Sequence, residues 1–375
     1  MFFSINRLSL IEEINKCNRI IDFKSPSPSI TGISIEVSVD NLVLISTNSV
    51  ISIKTCINVG EIDLIIKQPG NLLIRGKYFL DILRKMDDDI VNVSCVEENI
   101  VVLSGKKLEF SLNILDYNDF PIIAFREKGE SIIVNCADLK KALNQTIISV
   151  NEYKQKIVLS GLNFSLKNDV FFITGTDGYR VSRKKINFWS SEIEEKFESN
   201  IPYKSVLEVI KLLPENGECK ISIVDNYAMF IINKTVFQTS VLEGQFPDVN
   251  AVFPVDFNTT IFVDNKKFYK LISRADLPND DNSIPVVNLI LENEKIFIKS
   301  SIHQVGSYEE EFEEFELKGI DNQNISFNSK YLIDSLRSFE TRMIEINLID
   351  SKKPIVISSS EDDSLSQIIL PMFSN

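Results

Sequence analysis

Three stretches of the chain begin as a short apolar run and continue with apolar residues at helical spacing: "FFSINRLSLIEEINKC", "SIIVNCADLKKALNQT" and "TIFVDNKKFYKLISRA". The pattern predicts a strand running straight into an amphipathic helix. Aligned on Ile5, Val134 and Val263, the three recur every 129 residues. A second trio, "KYFLDIL" from Lys77, "KSVLEVI" from Lys204 and "KYLIDSL" from Lys330, shares one order of basic, apolar and acidic positions at spacings of 127 and 126. Phe120-Pro121 and Phe246-Pro247 stand 126 residues apart, each before a polar irregular stretch that reads as a linker. Between the helices lie period-two or continuous apolar runs such as "NIVVLSGKKLEFSLNIL", "ECKISIVDNYAMFIINKTVFQTSVL" and "EKIFIKSS", which predict strands. The expected architecture is α+β: three repeated, strand-rich domains over 1–128, 129–256 and 257–375, each with two helices.

Within the second repeat, "ITGTDGYRVSRKK" places Asp177-Gly178 between apolar runs. That is a hairpin signal, because glycine accepts the positive φ of a tight turn. The flanking Thr176, Tyr179 and Arg180 leave a catalytic corner, a phosphate cradle and a turn read by something else all open.

Charge changes the picture of the helices. The chain carries 40 Lys and Arg against 53 Asp and Glu, a net charge of −13 that by itself argues against a polyanion as partner. Yet the six helix windows (7–19, 75–86, 136–145, 203–213, 265–274 and 329–339) hold 17 basic and 6 acidic residues, net +11, which leaves −24 on everything else. In "NKKFYKLISR", Lys267, Lys270 and Arg274 share one face and Phe268 and Ile272 the other. Basic helices on an acidic body suggest a curved surface that tracks a polyanion and repels it elsewhere. Helices about 10 Å across leave almost no hole when six form a circle, whereas twelve leave roughly 28 Å, enough for a duplex of about 20 Å. A ring closed around DNA therefore needs two chains.

The remaining composition narrows the chemistry. Cys17, Cys56, Cys95, Cys136 and Cys219 are scattered, odd in number and never paired as CxxC, which argues against a disulfide framework and a zinc site. The one histidine, His303, has no ligand or nucleophile near it in sequence and reads as an ordinary strand or loop residue. No apolar run approaches the ~18 residues of a membrane helix, and Glu12 and Glu13 come too early for a signal peptide. A reduced, cytoplasmic setting is expected, with no cofactor and no metal.

The ordered set "IRGKYFLDILRKM", "LEFSLNILDYNDFP", "TGTDGYRVSRKK", "LEGQFPDVNAVFP", "FNSKYLIDSL" and "IILPMFSN" resembles the bacterial sliding clamp family, the beta subunit of DNA polymerase III, over essentially the whole chain. The resemblance implies a head-to-tail homodimer forming a closed ring of six domains, with helices lining the central hole. It implies a ring closed on double-stranded DNA by a clamp-loader ATPase, sliding without sequence preference and tethering DNA polymerases and repair proteins through linear peptides. No catalytic activity is implied. The implied peptide pocket, between the second and third domains, comprises Leu159, Thr176, Gly178, Tyr179, Arg180, Val181, Pro247, Val252, Tyr331, Ile368, Leu370, Pro371 and Met372, with aliphatic walls for desolvation and Arg180 for the peptide's polar atoms. The implied ring interface pairs the edge near Lys106, Lys107, Phe110 and Leu112 with the third domain of the other chain, where Leu277, Glu309, Glu311 and Glu313 lie, the acids supplying partners for the lysines. Two departures stand out: Tyr179 where the family often has His, and Phe373 where a terminal Arg is usual. On this reading non-specific phosphate contacts come from Lys24, Lys77, Arg84, Lys140, Lys141, Lys204, Lys211, Lys267, Lys270, Arg274 and Arg337.

Two other function classes fit parts of the pattern. A hydrolase using Asp177 and Arg180 lacks a second carboxylate or nucleophile at a recognisable spacing. A repeat scaffold that binds proteins but not DNA leaves the basic helices without a purpose.

Overall fold

The computed structural model describes residues 1–97, 99–127, 129–153, 155–191, 197–254, 256–277, 284–302 and 305–372; His303 and Phe373 to Asn375 lie outside them. Each repeat contributes nine strands and two helices among these residues. The first runs β1 (Phe2–Asn6), α1 (Arg7–Asn18), β2 (Gly32–Val37), β3 (Asn41–Thr47), β4 (Ile51–Asn58), β5 (Ile65–Gln68), β6 (Gly70–Arg75), α2 (Gly76–Lys85), β7 (Ile90–Glu97), β8 (Ile100–Ser104) and β9 (Glu109–Asn113). The second runs β10 (Ser131–Asn135), α3 (Cys136–Ile147), β11 (Gly161–Lys167), β12 (Val170–Thr176), β13 (Arg180–Ile186), β14 (Phe188–Ser191), β15 (Phe197–Pro202), α4 (Tyr203–Leu212), β16 (Glu218–Val224), β17 (Tyr227–Ile232) and β18 (Thr235–Ser240). The third runs β19 (Thr259–Asp264), α5 (Asn265–Ala275), β20 (Val286–Glu292), β21 (Lys295–Ile302), β22 (Gly306–Phe312), β23 (Phe315–Gly319), β24 (Asn322–Asn328), α6 (Ser329–Ser338), β25 (Met343–Leu348), β26 (Ile355–Ser358) and β27 (Leu365–Ile369).

The strand-to-helix step that repeats in sequence has a common local cause. Asn6 caps α1 by accepting from the Ser9 N–H (3.1 Å), and Asp264 caps α5 by accepting from the Lys267 N–H (3.1 Å). The helices then bury their apolar stripe. In α5, Phe268, Leu271, Ile272 and Ala275 are buried while Lys266, Lys267, Lys270 and Arg274 are exposed. Burying each large side chain stabilises the fold by about 1.5–3 kcal/mol.

Sheet topology divides the repeats in a way the linear pattern does not suggest. The first repeat puts five strands in one sheet, β5-β1-β7-β8-β9, and its other four in a second, where they continue five strands of the next repeat: β14-β10-β16-β17-β18-β4-β3-β2-β6. The third sheet, β15-β11-β12-β13-β27-β26-β25-β19-β23, joins the other four strands of the second repeat to five of the third. The third repeat's remaining four form β22-β21-β20-β24. The chain accordingly divides into two compact units, Met1–Ala137 with Phe188–Glu195 and Leu207–Val241, and Asp138–Asn187 with Lys196–Val206 and Leu242–Asn375, so that the second repeat is shared between them. In the first unit α1 packs on α2 and on β1, β3 and β4; in the second α5 packs on α6 and on β19, β21 and β22. No described helix is long and apolar enough to cross a membrane.

One buried acid ties the first unit's helix to its repeat junction. Glu13 of α1, its side chain 5% exposed, accepts from Thr55 Oγ1 (2.9 Å) and pairs with Lys16 (2.8 Å) and Lys234 (3.3 Å). Burial on its own raises the carboxyl, but the Lys16 hydrogen bond and charge, the Thr55 hydroxyl and the Lys234 charge outweigh it and hold Glu13 below its ordinary 4.5. A lowered folded value means that stability is fully present above 4.5 and is lost as pH falls through that lower value. Glu13→Gln is expected to cost about 2 kcal/mol at pH 7, and the gap from the native chain to narrow at pH 3.5. Urea unfolding of both proteins at the two pH values checks this; a gap of unchanged size in acid overturns it.

Candidate functional site: the Thr176–Arg180 turn and its pocket

The stretch TDGYR joins β12 to β13. Gly178 takes φ +87 with nothing near its absent Cβ, so the backbone angle, not space, requires glycine there. Asp177, 5% exposed, faces inward, and its Oδ1 accepts from the N–H of Tyr179 (2.9 Å) and of Arg180 (3.1 Å). Thr176 Oγ1 accepts from the Gly178 N–H (3.1 Å) and donates to the Arg180 carbonyl (2.6 Å). Asp177 is therefore spent on building the turn. Arg180 is also largely committed: Nε donates to Asp177 (3.2 Å), Nη1 to Asp334 of α6 (2.7 Å), and the guanidinium lies 4.3 Å from the Tyr331 ring centre. Burial pushes the Tyr331 hydroxyl up, with the Asp177 charge adding to it. The expectation that Arg180 meets a peptide's polar atoms changes accordingly: one donor group is held within the turn by Asp177 and another fixes the wall to α6.

Beside this turn lies a cavity of about 250 Å³ within the second unit. Its floor is the β13–β27 ladder, where Val181 faces Ile368, with Val249, Val252 and Phe253 packed against them. Ten of the thirteen sequence-predicted pocket residues line it: Leu159, Thr176, Gly178, Tyr179, Arg180, Val181, Pro247, Val252, Ile368 and Leu370. Tyr331 sits instead beneath Arg180, and Pro371 and Met372 continue past the cavity, with the Met372 N–H donating to the Ser326 carbonyl (2.8 Å). Lys156, Asp248 and Val249 line it without having been expected. Asp248 and Val249 directly follow Pro247, so the sequence carried their signal; Lys156 enters through the fold of its loop. Tyr179 lines the cavity while 57% exposed, so the mouth carries an aromatic edge open to solvent. The volume is below the ~300–1,000 Å³ of a site for a whole small ligand and suits one or two anchoring side chains of a peptide.

The DNA polymerase III beta subunit N-terminal, central and C-terminal domains match residues 1–124, 133–248 and 250–373 in turn. The chain belongs to the DNA polymerase III beta subunit family. It is 39% identical over 373 residues to the Beta sliding clamp of Mycoplasma capricolum, covering 100% of this chain and 99% of that one. It is 28% identical to the Beta sliding clamp of Staphylococcus aureus, covering 99% of each. The DNA polymerase sliding clamp of Bacillus subtilis superimposes over 100% of both chains with a TM-score of 0.93 at 28% identity, and the beta subunit of Streptococcus pyogenes over 100% of both with 0.92 at 25%. The function is that of a DNA sliding clamp, a processivity factor for DNA polymerase in replication.

Most of the cations a clamp would turn to DNA lie on the exposed faces of the six helices. Lys77 and Arg84 project from α2, Lys204 and Lys211 from α4, Lys267, Lys270 and Arg274 from α5 and Arg337 from α6, with Lys24 exposed after α1; Lys140 and Lys141 on α3 are half-buried. Several hold in-chain partners: Lys141 meets Glu340 (2.8 Å), Lys204 Glu152 (2.9 Å), Lys211 Glu208 (2.6 Å), Lys267 Glu314, and Arg274 Glu310 (2.9 Å). Apart from that of the half-buried Lys141, these are pairs of exposed cations that phosphate can replace at little cost. Lys270 and Arg337 share a groove of about 850 Å³ between α5 and α6 with Lys266 and Arg342, two cations the sequence reading left out.

The expected interface residues of the clamp fall on two sheet edges. Phe110 and Leu112 lie in β9, with Lys106 and Lys107 in the turn before it; Glu309 and Glu311 lie in β22, with Glu313 just beyond and Leu277 after α5. The acids are not waiting for lysines from elsewhere: Lys299 holds Glu309 (2.8 Å), and Lys295 holds Glu311 and Glu313 (3.5 Å to the latter).

Proposed function

We propose that two copies of this chain pair head to tail into a closed ring of six repeats, 1–128, 129–256 and 257–375 in each, whose helices face double-stranded DNA. The observation that carries this reading is the register of the two junctions inside the chain. At one, Leu370 N–H donates to the Tyr179 carbonyl (2.9 Å) and Lys185 N–H to the Ser364 carbonyl (2.8 Å). At the other, Ser240 N–H donates to the Val50 carbonyl (3.0 Å) and Cys56 N–H to the Lys234 carbonyl (3.1 Å). Following the ladders outward from Ile5, Val134 and Val263, these are equivalent bonds between equivalent strands, β27 with β13 and β18 with β4.

Only β9 and β22, the third such pair, lack each other within the chain, and each is a sheet edge. Their five- and four-stranded sheets would together make the nine strands of the other two. Carried over to this pair, the register of the other two would put Phe110 opposite Tyr308, Ser111 opposite Ser307 and Lys107 opposite Glu311 of the partner subunit. On the same register, hydrogen bonds would run from Asn113 N–H to the Val305 carbonyl of the partner subunit, and from Glu311 N–H of that subunit to the Lys107 carbonyl. Glu109 meets Glu309 of the partner subunit, whose charge Lys299 already offsets.

The ring is opened and closed by a clamp-loader ATPase, performs no catalysis of its own, and works in the cytoplasm. The Thr176–Arg180 pocket docks linear peptides of DNA polymerases and repair proteins. A scaffold that ignores DNA is disfavoured by the net positive charge concentrated on the six helices. Retention on plasmid DNA tests the reading: the dimer stays on a loaded circle and runs off once the DNA is linearised, and equal retention on both overturns it. Lys270→Glu with Arg337→Glu is expected to weaken retention and to flatten the salt dependence of binding by about two units of log–log slope.

A further inference from the structure

The repeat makes a comparison possible at the outer face of each junction. Lys54 of β4 and Arg183 of β13 hold equivalent ladder positions, opposite Val236 and Ser366. Each lies over a linker phenylalanine, Lys54 at 5.0 Å from the Phe125 ring centre and Arg183 at 3.6 Å from that of Phe253. The two then differ. Lys54 is neutralised by Glu127, two residues past its phenylalanine. In the second linker Val255 stands where Glu127 does, two residues past the phenylalanine, and the next residue, Asp256, is exposed and not paired with Arg183. Arg183 donates from Nη1 to Asn250 Oδ1 (3.0 Å), and among the described residues no carboxylate stands within ion-pair distance of it. It is half-buried, and burial alone draws its pKa below the ordinary arginine value. A partly desolvated cation left unpaired is costly and invites an anion.

Arg183 lines a groove of about 430 Å³ walled by Asn163, Ser165 and Thr174 on one side and the linker on the other. The groove shares Pro247, Asp248 and Val249 with the peptide pocket, so the two are continuous. Its own acids are engaged: Asp248 accepts from Asn250 (2.8 Å), and Glu198 lies 4.0 Å from Lys167. Val181 on the pocket floor and Arg183 stand two residues apart on one face of β13, about 7 Å.

We propose that this groove takes the residues flanking the apolar anchor of the docked peptide, and that Arg183 receives a carboxylate from one of them. The proposal rests on the pocket reading above. An extended peptide with its anchor over Val181 reaches Arg183 with the side chain two positions along the chain.

Fluorescence anisotropy tests it with labelled clamp-binding peptides that share one apolar anchor. A single Asp is walked through the four positions on each side, with Asn at the same position as control. One position is expected to favour Asp over Asn by about five- to tenfold at low salt. The preference is expected to vanish in Arg183→Gln and to return in Arg183→Lys, while the Asn peptides bind all three proteins alike. An Asp preference at no position, or one that survives Arg183→Gln, overturns the role of Arg183 and leaves the pocket standing. Failure of every peptide to bind the native protein overturns both.

Discussion

Ser111→Pro is expected to give a folded monomer. In β9 the backbone groups of Leu108 and Ile114 bond inward to β8, through Gly105 N–H to the Leu108 carbonyl (3.0 Å) and Ile114 N–H to the Asn99 carbonyl (3.1 Å). Alternation then points Ser111 N–H outward from the sheet edge. Proline there removes no bond within the chain and is tolerated as on any edge strand. In the proposed ring the same N–H would face Ser307 of the partner subunit, so proline would delete a central ladder bond and set its own ring against the incoming strand. The dimer dissociation constant should rise at least about a hundredfold, or about 3 kcal/mol, read by sedimentation across a concentration series. Far-UV circular dichroism should be unchanged. A dimer of native strength would show that β9 is not the interface; an unfolded chain would show that Ser111 N–H is needed inside the subunit.

The second large effect belongs to the turn. Asp177→Ala is expected to destabilise the second unit by about 2–4 kcal/mol, because it leaves the Tyr179 and Arg180 N–H groups without their acceptor and frees one arm of Arg180. Peptide affinity should fall at least about tenfold as the wall loosens. Asp177→Asn should cost far less, and the chain itself contains the reason. In the first repeat Asn48 occupies the same place, accepting from Val50 N–H (3.1 Å) and Ile51 N–H (2.8 Å), while Thr47 Oγ1 donates to the Ile51 carbonyl (3.0 Å). An amide oxygen is thus enough to hold the turn; the charge serves Arg180. Thermal unfolding with peptide titration of the three proteins checks the order, and equal losses for Ala and Asn would refute the division of labour between the two oxygens.

The two junctions, built on the same turn, differ in their floors. Val181, Ile368 and Leu370 at the second correspond to Ser52, Gln238 and Ser240 at the first. Gln238 is buried and binds its own linker, donating to the Ala124 carbonyl (3.2 Å) and accepting from the Arg126 N–H (3.0 Å). A polar floor already satisfied by backbone offers an aliphatic side chain nothing to desolvate. The turn is shared scaffolding, and the apolar floor is what makes a pocket.

Local pattern determined a good deal of this protein. The six helices fall within two residues of windows read from periodicity, because each carries its apolar stripe within a dozen positions and α1, α5 and α6 begin at a capping side chain, Asn6, Asp264 and Asn328. The Asp-Gly turn was legible for the same reason, since its bonds span three residues. Ten pocket residues were legible through the family resemblance that the ordered motifs carry. What only the tertiary structure decided are pairings across long stretches of chain. Arg180 is committed to Asp334 across 154 positions, the second repeat is shared between two sheets, and Arg183 is left without an acid while Lys54 has one. A sheet ladder places strands far apart in sequence side by side, and hydrophobic periodicity records only which face of a strand is buried, not which strand lies beside it.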